Sequence, residues 1–178
     1  MSRFALFCKS YTRMNTKNRS KTMSTTEKKP RAFWQKKSLK EMNRDEWESL
    51  CDGCGKCCLN KIDYEDIQKI YYTKVSCQLF DPKTCRCSDY PNRLKKVKDC
   101  LKITPDNLTA MKELPASCAY RLIANNKPLK SWHHLVCGDR NKVHTTNNSV
   151  KNKVINEKEI NENDLEDYII DWIKPTSN

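Results

Sequence analysis

The sequence predicts a small, irregular α+β domain organised around a cysteine-metal core, with short helices and a small hairpin. Nine of the eleven cysteines lie within 68 consecutive residues, and the segments with a helical or strand pattern are short. Hydrophobic residues make up 37% of the 178-residue chain, whereas roughly 45–50% is usual for soluble domains. A chain with so small an apolar core commonly gains stability from disulfides or from bound metal.

The net charge of +12 is concentrated at the N-terminal end. Residues 1–40 contain 12 Lys/Arg and one acid, whereas residues 41–178 are nearly neutral. A nearly neutral body argues against a broad phosphate-binding face, so nucleic acid is a disfavoured partner. Residues 1–22 have no apolar period and are predicted to be a disordered basic extension. This extension is untranslated if synthesis starts at Met23, or it is a transit peptide; residues 23–37 are predicted to be a linker.

No segment has the length of a secretory signal or a membrane span. The longest apolar stretch near the start, residues 4–8, is shorter than the 7–15-residue core of a signal peptide. The sequence therefore predicts a cytoplasmic protein without a membrane partner. In a reducing compartment, a cysteine cluster is more often metal-binding or catalytic than disulfide-bonded.

The domain is predicted to span residues 38–174 and to begin with a helix. Ser38 and Glu41 have the spacing of a capping box, which predicts a helix over residues 39–50. This helix leads into the cysteine-rich segment 51–58, where two glycines permit tight turns.

A hairpin is predicted next. Residues 70–79 are rich in Tyr, Thr and Val, which predicts a β-strand. Asp81 and Pro82 indicate a turn, and residues 85–90 are predicted to return as the partner strand.

The remaining elements are predicted to be helices and one short strand. Thr104 and Pro105 resemble a helix start, which predicts a helix over residues 104–114, and a second helix is predicted over residues 117–124. A strand is predicted at residues 150–155.

The last predicted element is a C-terminal helix at about residues 164–173, capped by Asn163. Its apolar residues have helical spacing, and we expect this stripe to pack into the core.

The spacing of the cysteines indicates metal binding. Cys51, Cys54 and Cys57 repeat an interval of two residues, which lets two thiolates of one turn reach an ion about 2.3 Å away. This run matches the first three positions of a bacterial ferredoxin motif, but the fourth cysteine and the following proline do not match. The candidate ligands are Cys51, Cys54, Cys57, Cys58, Cys77, Cys85, Cys87, Cys100 and Cys118. Zinc, iron or an iron–sulfur cluster is the expected cofactor.

Cys57 and Cys58 are adjacent, which bears on the number of metal sites. Neighbouring side chains of an extended segment point to opposite sides, so we expect one ion not to take both thiolates. This predicts two sites that share the loop, or one multinuclear centre. Eight thiolates would close two tetrahedral sites. With nine candidates, either one cysteine is a free thiol or a ligand position is open, and an open position is typical of a catalytic or metal-transfer site.

Other uses of these residues are less favoured. A cysteine nucleophile could pair with His133, His134 or His144, but no protease-like sequence surrounds any cysteine. A thioredoxin-like motif would need a βαβ context that the sequence lacks. His133 and His134 are an alternative source of an imidazole ligand. Cys8 and Cys137 are predicted to be bystanders, with Cys137 a small buried hydrophobe.

Beyond spacing, the run Cys51-x-x-Cys54-Gly55-Lys56-Cys57-Cys58 resembles that of the bacterial YcgN-type cysteine-cluster proteins, within the YkgJ-type group with a zinc- or iron-chelating domain. The resemblance covers about residues 30–173. It extends to Phe33-Trp34-Gln35, Trp47-Glu48-Ser49-Leu50, Lys83-Thr84-Cys85-Arg86-Cys87, Asp99-Cys100, Cys118-Ala119-Tyr120-Arg121-Leu122, Trp132-His133 and Asp164-Leu165-Glu166-Asp167. The resemblance implies metal chelation, but it implies no reaction and no substrate.

The sequence thus predicts a cysteine-cluster metal-binding protein with a structural or a labile site. One alternative is an iron–sulfur or metal-dependent redox or transfer enzyme, for which no reaction can be assigned. Another is a zinc-stabilised module that binds protein or RNA. The metal ion is the expected partner, and no protein partner is indicated.

Overall fold

A β-hairpin that follows the cysteine-rich segment is the longest regular feature of the computed structural model, which describes residues 31–177. Strands β1 (Leu59–Tyr64) and β2 (Lys69–Ser76) are antiparallel, with a register shift between Leu59 and Lys61. β2 was predicted, although its last predicted residues are not part of the strand. Its main partner is β1, because the predicted partner over residues 85–90 pairs elsewhere.

A small second hairpin lies after β2. It consists of β3 (Phe80–Asp81) and β4 (Arg86–Cys87), which pair antiparallel with Phe80 opposite Cys87. The Asp81 carboxylate accepts hydrogen bonds from the Lys83 N–H at 2.9 Å and the Thr84 hydroxyl at 2.7 Å, which closes the turn. The predicted turn is therefore present, but it connects β3 to β4.

The C-terminal part of the chain completes the main sheet on the other edge of β2. β5 (Ile155–Asn156) pairs parallel with the end of β2, and β6 (Thr176–Ser177) pairs antiparallel with its start. β2 is therefore the central strand, and five of its eight residues are buried, including the adjacent pairs Tyr72–Thr73 and Val75–Ser76. A longer strand was predicted at residues 150–155, but only the two-residue strand β5 forms there.

The helices are short. The α-helices are α1 (Phe33–Lys36), α2 (Arg44–Ser49), α3 (Arg93–Lys96), α4 (Ala119–Ala124), α5 (His134–Cys137) and α6 (Lys142–Thr145). The 3₁₀ helices are Leu39–Glu41, Lys56–Cys58, Tyr90–Asn92, Leu108–Ala110, Glu157–Glu159 and Glu162–Tyr168. This mixture of short helices and small sheets confirms the predicted α+β class. Among the described residues, no helix has the length and apolarity needed to cross a membrane.

The helix predicted over residues 39–50 is interrupted. Ser38 and Glu41 do interact, since the Glu41 carboxylate accepts the Ser38 N–H at 2.7 Å, but the helix they start is a single 3₁₀ turn. Asn43 then caps a new helix, α2, by accepting the Glu46 N–H at 2.9 Å. A second strong N-cap within the predicted helix therefore restarts it one turn later.

Two other predicted helices are also replaced. Within residues 104–114, Asn107 bonds to the backbone of Thr104, and a single 3₁₀ turn forms. In place of the helix at residues 164–173, the 3₁₀ helix Glu162–Tyr168 ends at Ile169, which pairs with β2. The free edge of β2 offers this segment backbone hydrogen bonds that compete with a helix.

The buried apolar residues form two clusters. The first cluster contains Leu50, Leu108, Leu114, Ala119, Tyr120 and Leu129. The second cluster contains Leu59, Tyr72, Phe80, Cys85, Val150 and Ile173. Phe33 and Trp34, which lie in the predicted linker, pack against the first cluster. Residues 1–22, predicted to be disordered, lie outside the described residues.

Candidate metal centre

The cysteine loop, residues 51–58, connects α2 to β1. Asp52 accepts the Cys54 N–H at 3.0 Å, which tightens its first turn. Gly53 and Gly55 both have φ near +75°, a left-handed conformation that favours glycine. A Cβ on Gly55 would lie 2.6 Å from Phe80, so this position also requires close approach of the second cluster.

His133 fixes the start of the loop. Its ring is buried, and Nε2 lies 2.9 Å from the carbonyl oxygen of Leu50. Nδ1 accepts the Leu135 N–H at 3.1 Å and so caps α5. Because Nδ1 accepts, Nε2 carries the proton and donates to Leu50. Both ring nitrogens are used by the backbone, so His133 is a positioning residue in this structure and not a ligand.

Two more long-range bonds and one local bond hold the rest of the loop. The Val150 N–H donates to the Cys54 carbonyl at 2.9 Å, and the Cys77 N–H donates to the Cys58 carbonyl at 2.9 Å. The Lys61 ammonium donates to the Cys57 carbonyl at 3.1 Å. The loop backbone is thus fixed by protein groups, while three of its four cysteines, Cys51, Cys57 and Cys58, line a cleft.

Most of the predicted ligands surround one open cleft of about 1290 Å³. The cysteines that line it are Cys51, Cys57, Cys58, Cys77, Cys85, Cys87 and Cys100. Cys54 and Cys118 do not line it, but Cys118 packs against the first cluster beside Cys57. None of the ten cysteines in the described part of the chain forms a disulfide.

The thiols are gathered but do not converge on one point. Within residues 31–177, no group of three or more His, Cys, Asp or Glu side chains is arranged to hold a metal ion. The set of donors nevertheless fits zinc or iron, because both accept several thiolates and the cleft offers many. The side chains would have to turn toward a bound ion, whereas the backbone that carries them is already in place.

Cys57 and Cys58 differ from their prediction in one respect. They belong to a 3₁₀ helix and not to an extended segment, and their sulfur atoms are 4.0 Å apart. The predicted reason for opposite orientations was therefore wrong. The two side chains still have different surroundings, since Cys57 packs against the first cluster and Cys58 against the second.

The electrostatic environment differs from thiol to thiol. Burial raises the pKa of Cys118 to about 12 and that of Cys85 to about 11. A hydrogen bond from Cys58 lowers the pKa of Cys57. Lys61, whose own pKa is lowered by burial, is a nearby cation that favours the thiolate of Cys57. The contact between the two sulfur atoms and the Lys61 ammonium therefore favour one thiolate in the Cys57–Cys58 pair.

Cys85 and Cys137 differ from the other cysteines in solvent exposure, and in opposite directions. Cys85 is 3% exposed, is a member of the second cluster and has a left-handed backbone with φ of 59°. Cys137 is exposed, which contradicts its predicted burial, because α5 ends there and turns outward at Gly138. Cys8 lies outside the described residues.

His133 and Lys61 are site residues whose roles the sequence did not indicate. The sequence singled out His133, but as an alternative ligand. No sequence pattern distinguishes Lys61, because its contact with the Cys57 carbonyl becomes apparent only in the folded chain. His134 stacks on His133 at 4.6 Å, and neither of its buried ring nitrogens has a hydrogen-bond partner.

Comparison with known proteins points to the same cysteine-rich part of the chain. A family model described as CxxCxxCC, "Putative zinc- or iron-chelating domain", matches residues 50–119. A UPF0260 protein of Pseudomonas putida is 49% identical over 138 residues, which cover 78% of this chain and 92% of the relative. A UPF0260 protein of Pseudomonas fluorescens is 50% identical over 138 residues, covering 78% and 93%. No solved structure matches. With 78% of its length aligned to such relatives, this chain belongs to the UPF0260 family.

Proposed function

We propose that this protein binds zinc or iron through the cysteine thiolates around the cleft. The observation that carries this proposal is the contrast between a fixed loop backbone and sulfur atoms without disulfide partners. Preorganised backbone reduces the ordering cost of binding. Thiolate ligands suit zinc and iron–sulfur centres better than they suit magnesium or calcium.

The proposed ligands come from the nine clustered cysteines, namely Cys51, Cys54, Cys57, Cys58, Cys77, Cys85, Cys87, Cys100 and Cys118. Two tetrahedral sites need eight of them, so one thiol remains. The finer assignments are also part of this proposal: membership of the YcgN-type branch, residence in the cytoplasm, and an iron–sulfur cluster as one form of the metal.

The open cleft favours a second candidate function, a redox or transfer enzyme. Cys51 is exposed, and it lines the open cleft together with six other cysteines. An accessible ligand position distinguishes a catalytic or metal-transfer site from a closed structural one. When bound, the metal would supply electron transfer or Lewis acidity, and the protein would supply the thiolates and control access.

Elemental analysis and an absorption spectrum of the full chain, purified without oxygen, test the proposal. We expect stoichiometric zinc or iron; broad visible absorption would identify an iron–sulfur centre, and a colourless zinc protein would remove the redox candidate. Protein that carries no metal and takes up neither added zinc nor ferrous iron would contradict metal binding altogether.

Single variants locate the site. Cys57→Ser and Cys58→Ser should each lower the metal content per chain, because both sulfurs line the cleft. Cys137→Ser is the matched control: this thiol is exposed at the end of α5 and contacts the carbonyls of Trp132 and Asp139. Loss of metal in Cys137→Ser would mean that the cluster is drawn too narrowly.

A further inference from the structure

Eight of the nine clustered cysteines can be assigned to two walls of the protein, four to each wall. How these ligands are shared between metal sites is a question that rests on the proposed function. The two groups meet at Cys57 and Cys58, which contact different clusters although they are adjacent.

The first group is held by α2, the cysteine loop and α4. Cys118 is the N-cap residue of α4. Tyr120, in the first turn of α4, donates from its hydroxyl to the Trp47 carbonyl at 3.0 Å, and the two ring centroids lie 4.8 Å apart with the rings tilted by 47°. Since α2 ends directly before Cys51, this contact brings Cys118 to the start of the loop.

A second contact joins the same two segments. Lys56 Nζ lies 3.4 Å from the Ser117 hydroxyl, so the residues that precede Cys57 and Cys118 touch. Cys57 and Cys118 both pack against the first cluster. Cys51 interacts electrostatically with Cys57 and Cys118, and Cys54 interacts with Cys57 and Cys51. These interactions join Cys51 and Cys54 to the pair that packs against the first cluster.

The second group is held by β2 and the small hairpin. The Cys77 N–H donates to the Cys58 carbonyl, and the Phe80 N–H donates to the Cys77 carbonyl at 2.9 Å. Phe80 pairs with Cys87 across the hairpin. This chain of backbone bonds places Cys58, Cys77 and Cys87 in succession along one wall of the cleft.

Cys100 completes the second group. It lines the same cleft, after α3, and it interacts electrostatically with Cys87 and also with Cys57. Cys77 interacts with Cys100 and Cys87, whereas Cys51 interacts with Cys57 and Cys118. The electrostatic contacts between thiols thus follow the packing except at Cys57, which also acts on Cys58 and Cys100.

Cys85 belongs to neither group. It is almost fully buried in the second cluster, and its sulfur lies where a Cβ on Gly55 would meet it, at 2.9 Å. Turning this side chain toward an ion would require it to leave an apolar contact that helps to close the loop around Gly55. Two tetrahedral sites use eight of the nine clustered thiols, and Cys85 is the one that remains.

We propose that Cys51, Cys54, Cys57 and Cys118 form one tetrathiolate metal site, that Cys58, Cys77, Cys87 and Cys100 form a second, and that Cys85 is a free structural thiol. Each site would accept one zinc or iron ion, or one iron–sulfur cluster. Because Cys57 and Cys58 are adjacent in sequence, one peptide bond links the two sites.

Zinc content per chain of full-length variants tests this division. Wild-type protein should bind two zinc ions, Cys118→Ser and Cys87→Ser should each bind one, and the double variant should bind none. Cys85→Ala should retain two. If Cys118→Ser and Cys87→Ser each lose all zinc, or if wild-type protein binds one ion, the division is wrong while metal binding stands.

A second measurement needs no variant and so does not depend on a variant's folding. Wild-type protein is loaded with increasing amounts of zinc, alkylated, and digested for mass spectrometry. Protection should appear in the two predicted sets of four thiols, and members of one set should be protected to the same extent. Protection that mixes the sets, for example Cys51 with Cys87, would overturn the division. Wild-type protein that binds no zinc or iron would overturn the proposed function itself.

Discussion

Gly55 is required both for its left-handed backbone and for the space that its missing side chain leaves. Its φ of +75° favours glycine, and an added Cβ would lie 2.6 to 2.9 Å from Phe80, Val150 and Cys85. Contacts this short force neighbouring groups to move. The residue therefore controls how closely the cysteine loop approaches the second cluster.

We predict that Gly55→Ala lowers the free energy of unfolding by about 2–4 kcal/mol, the sum of left-handed strain of about 1 kcal/mol and overpacking of about 1–3 kcal/mol. Gly138→Ala is the matched control, because Gly138 has a φ of +77° but no atom within 4 Å of an added Cβ. It should cost about 1 kcal/mol. Denaturant unfolding measures both, and equal losses would show that the close approach does not matter.

At the scale of single residues, the sequence identified the cysteines but not their surroundings. Spacing and clustering along the chain singled out nine thiols, of which seven line the cleft while Cys54 and Cys118 do not. The burial of Cys85 and the exposure of Cys137 depend on contacts with residues far along the chain. A one-sequence pattern cannot show such contacts.

The link between α5 and the end of α2 depends on one imidazole. His133 donates to the Leu50 carbonyl and accepts from Leu135, whereas the buried nitrogens of its neighbour His134 bond to nothing. These two adjacent histidines offer a comparison of a bonded and an unbonded ring in one element.

We predict that His133→Phe lowers the free energy of unfolding by about 2–4 kcal/mol, because it leaves two buried backbone groups unpaired at about 1–3 kcal/mol each, partly relieved by relaxation. His134→Phe should be neutral or stabilising by about 1 kcal/mol, since it removes unpaired buried nitrogens. Thermal and denaturant unfolding of the two variants measure these changes in the free energy of unfolding. A loss in His134→Phe as large as in His133→Phe would contradict this account.

At the scale of elements, short-range signals succeeded and long-range pairing did not. β2, α4 and the turn at Asp81 follow local composition and were predicted. β1 was missed because its sequence mixes Asn, Lys and Asp with few apolar residues. The C-terminal helix was predicted from a real apolar period, but the segment after Tyr168 instead pairs with an edge of β2.

The whole domain divides its apolar residues between two clusters that meet at the cysteine loop. We predict that metal removal unfolds it, because each cluster is small and the thiolates join them. Complete, verified chelation followed by circular dichroism and thermal melting tests this. Unchanged spectra and melting temperature would show that the metal has no structural role.

Metal binding should weaken on acidification. Protons compete for thiols, and burial raises the pKa of Cys118 to about 12, so this ligand is protonated at neutral pH until metal displaces its proton. Each proton displaced changes the affinity by about tenfold per pH unit. We expect zinc affinity to fall from about pH 8 to pH 6, measured by competition with a chelator of known pH dependence. An affinity independent of pH would rule out thiol ligands.

We predict that deletion of residues 1–22 changes neither metal content nor stability. This segment contributes one bystander cysteine, Cys8, and no apolar period. Metal per chain and melting temperature of the shortened protein are the measurements. A loss of metal on deletion would assign the segment a role in the centre.

The pairing of β2 with β5 and β6 governs the order of events during synthesis. β2 has left the ribosome long before residues 155–177 exist, and contacts of such sequence separation form late. At a translation rate of roughly 5–20 residues per second, the chain from Cys118 to the last strand takes on the order of 3–12 s. During that interval every clustered thiol is already made while its sheet is still open. The clustered thiols therefore spend that interval in a chain whose main sheet still lacks β5 and β6.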